Sequence, residues 1–129
     1  MNREIKYKAW HKIRKELYQV YGFSEDYVFK NTLDGTGNDG VPDKIEDCIL
    51  LQYTGLKDKK RVEVYEGDIV VCIFYDCNNV YNDLFKVIYV APSFKLEAVK
   101  SYMGETGALI YLFRDLEVIG NIYENPELL

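Results

Sequence analysis

Histidine occurs once in this chain, at His11, and cysteine three times, at Cys48, Cys72 and Cys77. Cys72 and Cys77 do not have the spacing of a C-x2-C ligand pair and no second pair exists, so a zinc site is excluded. A Ser-His-Asp or Cys-His arrangement would have to use one imidazole in a Lys-rich turn, where exposure is expected. This argues against nucleophilic hydrolase chemistry. No motif calls for a cofactor. Long apolar runs are missing too: none approaches the ~18–20 residues of a membrane span. The start, Met1-Asn2-Arg3-Glu4-Ile5-Lys6, has no apolar signal-peptide segment. With an odd cysteine count, these absences point to a reducing, cytoplasmic setting without a membrane partner. Cys48 and Cys72 stand in the apolar runs Cys48-Ile49-Leu50-Leu51 and Val70-Val71-Cys72-Ile73 and read as small core residues.

What the chain has in quantity is apolar and aromatic side chain. Of its 129 residues 48% are hydrophobic, 29% charged and 15% aromatic, tyrosine alone accounting for twelve. That suffices for one core without staples, and the aromatic share favours β-structure. We therefore expect a single domain over residues 1–129. The net charge of −5 gives the whole chain no long-range attraction for phosphate backbones. The charge is uneven, however: residues 1–20 come to +4 and 57–61 to +3, against −5 for 21–56 and −7 for 62–129. Patches of opposite sign suit self-association. The two basic stretches, Arg3, Lys6 and Lys8 near Trp10 and Lys57, Lys59, Lys60 and Arg61, are candidate nucleic-acid contacts. Their plain reading is a solvated loop and an outer strand face.

Along the chain, short strands alternate with turn signals every 8–12 residues, the rhythm of a barrel or sandwich. Ile5-Lys6-Tyr7-Lys8-Ala9-Trp10 alternates, with Ile5, Tyr7 and Ala9 on one face, and Leu17-Tyr18-Gln19-Val20-Tyr21 can return beside it. A helix over residues 10–21 is the competing reading, since Ile13 and Leu17 are four apart. Asp26-Tyr27-Val28-Phe29-Lys30 is a further strand. Asp34-Gly35-Thr36-Gly37-Asn38-Asp39-Gly40-Val41-Pro42 superficially resembles a calcium loop but has Asp39 at position six and Ile45 at twelve, where an EF-hand needs glycine and glutamate. Residues 48–55 read as a strand closed by Gly55, and 61–65 as another. The strand over 69–75 is apolar on both faces and should be the most buried. Strands over 84–90, ended by Ala91-Pro92, and 94–100, with edge character, follow. A turn is expected at 104–107, a strand or helical turn at 109–113, and a last strand at 117–123. The fold class expected is mainly β, a small barrel-like or sandwich-like domain of short antiparallel strands with little helix, with α+β as the alternative.

Four stretches together resemble the YopX family of phage and prophage proteins. They are Arg3-Glu4-Ile5-Lys6-Tyr7-Lys8-Ala9-Trp10, Leu51-Gln52-Tyr53-Thr54-Gly55-Leu56-Lys57-Asp58-Lys59, Val64-Tyr65-Glu66-Gly67-Asp68-Ile69-Val70, and Leu116-Glu117-Val118-Ile119-Gly120-Asn121-Ile122-Tyr123-Glu124-Asn125-Pro126-Glu127-Leu128. They stand in the family's order and span the chain. Two departures are visible: Lys60-Arg61 replaces the family's Asn-Gly turn, and His11 replaces an acid after the tryptophan. The resemblance implies a phage or prophage origin, a mostly β small fold and a homo-oligomer, and it carries no catalytic residue to this chain.

The residues of those stretches read as structural. Gly67 permits the positive φ of a tight turn, and Asp68 can accept backbone N–H bonds before the buried strand begins. Tyr53, Gly55, Tyr65, Gly120 and Tyr123 likewise read as a turn, a bend and their packing. Two kinds of function follow. One is a non-catalytic oligomeric module that binds a host or phage protein through tyrosine-rich surface in a bacterial cell. The other is a nucleic-acid accessory protein using the two basic stretches on phosphates, with Trp10 or nearby tyrosines stacking on bases. Acid–base pairs such as Glu66 with Asp68, or Asp115 with Glu117, are too ordinary in strands and turns to support an enzyme.

Overall fold

The computed structural model describes residues 5–32, 37, 40–76, 79–100 and 116–129. Contacts divide the chain into two compact units, Met1–Tyr53 and Thr54–Leu129, each with its own buried cluster. The fold is mainly β. Among the described residues the only helical segments are two single 3-10 turns, Ile45–Asp47 and Pro126–Leu128.

In the first unit β1 (Tyr7–His11) and β2 (Glu16–Phe23) form an antiparallel hairpin. β3 (Tyr27–Lys30) and β4 (Asp43–Lys44) add to β2 in turn. β5 (Cys48–Lys57) pairs with the other side of β1. The helical reading of residues 10–21 therefore gives way to a hairpin. A period-2 pattern with Ala9 facing Tyr18 on one neighbour and Leu50 on the other buries more than the single Ile13–Leu17 helical repeat could. Small Ala9 makes room for the Tyr18 ring, and both are buried with Val28, flanked by Val20, Ile45, Cys48 and Leu50. The expected core-facing role of Ile5 fails, because it precedes the strand and is 68% exposed. The expected exposure of His11 fails as well. β1 runs one residue beyond Trp10, so His11 takes the next core-facing place after Ala9 and is buried, opposite Cys48. Tyr21 is the extra residue of a bulge between Val20 and Gly22, which leaves its ring exposed.

In the second unit β7 (Asp68–Asp76) lies between β10 (Leu116–Asn121) and β8 (Asn79–Val90), with β9 (Ser93–Lys100) outside β8, all antiparallel. Ile69, Val70 and Cys72 of β7 are all buried, as its two-sided apolar sequence requires. Val64, Val70, Cys72, Phe85, Val87, Phe94, Leu96 and Leu116 form the core. β6 (Glu63–Tyr65) is hydrogen-bonded to β5. Gly55 does not close its strand as expected. β5 continues to Lys57, and Gly55 takes φ +87° inside it while the Leu56 N–H turns back to the Thr54 hydroxyl (3.2 Å). The same hydroxyl donates to the Val64 carbonyl (2.8 Å). β8 ends at Val90 before Ala91-Pro92. Most of the calcium-like loop, part of the turn after Asp76, and the elements expected at 104–107 and 109–113 lie outside the described residues. Among the described residues no helix is long and apolar enough to cross a membrane.

Candidate functional site

The basic loop of the second unit, residues 57–61, is built on Asp58. This carboxylate is 7% exposed. Its Oδ1 accepts the N–H groups of Lys60 (2.8 Å) and Val62 (2.9 Å), and its Oδ2 that of Val118 on β10 (3.0 Å). Burial pushes the Asp58 carboxyl up, but these three donors together hold it below its ordinary range. The turn closes through Arg61 N–H to the Asp58 carbonyl (3.0 Å) and forces Arg61 to φ 67°, a conformation that a glycine would adopt without strain. Lys60 Nζ reaches Glu117 Oε1 at 2.6 Å and Lys59 Nζ reaches Oε2 at 3.4 Å. Two of the four candidate cations thus already face an anion, which weakens the local field that a phosphate would meet. Lys57 and Arg61 make no ion pair among the described residues.

The other basic stretch is in the first unit. Arg3 lies outside the described residues. Lys6 places its ammonium 5.6 Å from the centre of the Tyr53 ring, and its carbonyl accepts the Tyr53 N–H (2.9 Å). Lys8 stands opposite Gln19 and Leu51, and Trp10 opposite Leu17 and Ile49. Trp10 and Tyr53 are buried, so neither ring offers a free face for stacking. The exposed rings of this unit are Tyr21, Phe23 and Tyr27. Phe23 packs edge-on against Tyr7 at 5.1 Å. Strand alternation directs Tyr7 to the opposite face of β1 from Lys6 and Lys8. The Tyr7–Phe23 pair is therefore on the other face of β1 from Lys8.

A polar cluster not foreseen in the sequence centres on Asp43. Arg14 grips its carboxylate with both terminal nitrogens (2.6 and 2.8 Å), Tyr18 donates its hydroxyl (2.7 Å), and His11 Nε2 lies 3.7 Å away. The Arg14 guanidinium holds the Asp43 carboxyl down at about 2. Burial and the bond to Asp43 push the Tyr18 hydroxyl up, and burial pushes the Cys48 thiol up. His11 Nδ1 accepts the Arg14 N–H at 3.0 Å, and Glu16 bridges Arg14 (3.2 Å) and Lys30 (2.7 Å). Histidine, cysteine, tyrosine and aspartate are thus assembled around one arginine. Burial disfavours the Cys48 thiolate, and the Asp43 carboxylate accepts from both Arg14 and Tyr18. Arg14 and Asp43 are 29 residues apart, and no local pattern announces their pairing. Nearby, Asp26, Tyr27, Lys44, Ile45 and Glu46 line an open depression of about 250 Å³, below the ~300–1,000 Å³ of typical small-molecule pockets. Among the described residues no group of three or more His, Cys, Asp or Glu side chains is placed to hold a metal ion.

The remaining signature residues form the turns of the second unit. Gly67 adopts φ 88°, its N–H donates to Val87 (2.8 Å), and its carbonyl accepts from Ile122 (2.9 Å). Asp68 Oδ2 accepts the Tyr65 N–H at 2.8 Å, and the wholly buried Tyr65 donates its hydroxyl to Glu63 at 3.3 Å. After β10, Asn121 Oδ1 accepts the N–H groups of Tyr123 (3.0 Å) and Glu124 (2.7 Å). Asn125 Oδ1 accepts that of Asn121 (3.1 Å). A Cβ on Gly120 would come within 2.5 Å of that Asn125 oxygen, so the glycine permits the close approach. Burial and the charge of Glu66 push the Tyr123 hydroxyl up.

Comparison with known proteins adds a family and a structural relative. The crystal structure of protein EF1440 from Enterococcus faecalis is similar to this chain with a TM-score of 0.69 and 26% sequence identity. The alignment covers 98% of this chain and 99% of that one. No curated protein matches significantly. The family model described as YopX protein matches residues 6–129, nearly the whole chain, and with the signature turns in place the chain belongs to the YopX family.

Proposed function

We propose that this protein is a non-catalytic, self-associating module that binds another protein in the cytoplasm of a phage-infected or lysogenic bacterium. One observation carries the reading. The turn residues Asp58, Asp68, Asn121 and Asn125 of its signature stretches spend their side chains on internal hydrogen bonds, whereas large apolar side chains in both units face solvent: Tyr21, Phe23 and Tyr27 in one, Val62, Tyr89, Val90 and Ile119 in the other. Exposed tyrosine and phenylalanine supply contact area at low entropic cost, as binding surfaces require. The test is affinity capture from infected cells, with nuclease-treated and untreated samples compared. A host or phage protein retained after nuclease, and lost when Tyr21 and Phe23 are replaced by serine, supports the reading. A tether that nuclease removes refutes it in favour of nucleic-acid binding. The specific observation on that side is the loop pair Lys57 and Arg61, which has no anionic partner among the described residues. Absence of binding to single-stranded DNA or RNA at low salt, where phosphate contacts are strongest, eliminates the nucleic-acid reading.

A further inference from the structure

β9 is the last strand of the order β10-β7-β8-β9, so among the described residues it is laddered on one side only. An open strand edge is a template for another strand. Phe94 and Leu96 are buried in the core, with Ala98 packed against it, whereas Glu97 belongs to the outer face and its side chain is 51% exposed. The hairpin sets which backbone groups face the open edge. Val90 pairs with Ser93 across a two-residue turn, followed by Ile88 with Lys95 and Lys86 with Glu97. Two-residue hairpins close on a hydrogen-bonded pair, and such pairs alternate along the ladder. Ser93, Lys95 and Glu97 therefore bond to β8, and the N–H and C=O groups of Phe94, Leu96 and Ala98 point away from it. The Val87 carbonyl, opposite Leu96, accordingly accepts from Gly67 and not from β9.

We propose that β9 pairs antiparallel with β9 of a second copy about a two-fold axis through Leu96, joining two four-stranded sheets into one of eight strands. This rests on the self-associating reading above and names its interface. With Leu96 on the axis, Phe94 of one copy faces Ala98 of the other, and Lys95 faces Glu97, twice by symmetry. The axis residue carries outward backbone groups, so the central pair is hydrogen-bonded, and the Lys95–Glu97 pairs occupy the non-bonded positions where side chains approach most closely. Other registers are worse. Centring on Lys95 or Glu97 opposes like charges. Centring on Phe94 sets Leu96 against Pro92, which has no N–H to donate, and centring on Ala98 sets Glu97 against Val99. Lys86 Nζ lies 2.9 Å from Glu97 Oε1. In the dimer each Glu97 is thus flanked by Lys86 of its own copy and Lys95 of the other.

Sedimentation equilibrium on the full chain tests this through charge reversal at two surface positions, with circular dichroism confirming that each variant folds. The wild type should dimerise, more weakly as salt rises. K95E and E97K each oppose like charges in both pairs and should each raise the dissociation constant by about tenfold or more. An equimolar mixture of the two restores both pairs in a heterodimer and should recover affinity to within about threefold of wild type. Ala98→Pro removes an outward N–H and should weaken the dimer without touching charge. A wild type that stays monomeric at all concentrations overturns both this interface and the self-associating reading. A wild-type oligomer indifferent to K95E and E97K overturns the β9 pairing alone. Single variants that weaken while their mixture fails to recover overturn the Leu96 register.

Discussion

Replacing Asp58 by alanine tests the claim that the acid in the basic loop holds the turn together. The substitution takes a charged acceptor from three backbone N–H groups, those of Lys60, Val62 and Val118, at 2.8–3.0 Å. A hydrogen bond to an ionised group contributes about 1.5–3 kcal/mol, but Lys60 and Val62 are exposed and their N–H groups can turn to water, so the expected loss is about 3–4 kcal/mol. With a urea slope near ~1.5–2 kcal/mol/M for a chain of this size, the midpoint should fall by about 2 M. Asp58→Asn should lose less, about 1–2 kcal/mol, because its remaining oxygen still accepts from Lys60 and Val62 while its amide turns a donor toward Val118. The Asp58 carboxyl is lowered in the folded protein. Its ionised-form stabilisation is therefore fully present above the unfolded value near ~4 and is lost as pH falls through the lowered folded value. Wild type and Asp58→Asn should accordingly converge in stability in acid. Urea titration with hydrogen exchange at Val118, Val62 and Lys60 measures the effect. A midpoint drop under about 0.5 M for Asp58→Ala, or no faster exchange at those amides, would refute the reasoning.

Three further outcomes follow from the same structure. Arg61→Gly relieves a left-handed φ of 67° and should raise stability by about 0.5–1 kcal/mol, read as a small increase in melting temperature. Asp43→Asn dismantles the Arg14–Tyr18 clamp and should cost about 1–2 kcal/mol at neutral pH, discounted because Arg14 is half exposed; Asp43 is held at about 2, so the difference should shrink as pH falls from about 4 toward 2. A thermal shift series from pH 7 to 2 checks this. Gly120→Ala pushes a Cβ to 2.5 Å from Asn125 Oδ1 and should cost about 1 kcal/mol through the lost Asn121–Asn125 bond, visible as faster exchange of the Asn121 amide.

Most of the strand content was legible in residue order because its cause is local. The alternation around Ala9, the two-sided apolar run of β7 and the Glu66-Gly67-Asp68 turn each follow from side-chain period or permitted φ. Local pattern failed where one residue decides a face or a continuation. His11 is buried because β1 extends past Trp10, and Gly55 lies inside a strand because a neighbouring hydroxyl takes up the Leu56 N–H. The candidate cations were legible as charge, but Glu117 beside Lys59 and Lys60 was not: the β5–β6 loop and β10 are more than fifty residues apart, and only folding sets them together. Residue order alone therefore determined the class of fold and the family, since both depend on short-range spacing. Tertiary structure decided which polar side chains stay available, because partners such as Asp43 for Arg14 and Val118 for Asp58 come from distant strands brought together by burial.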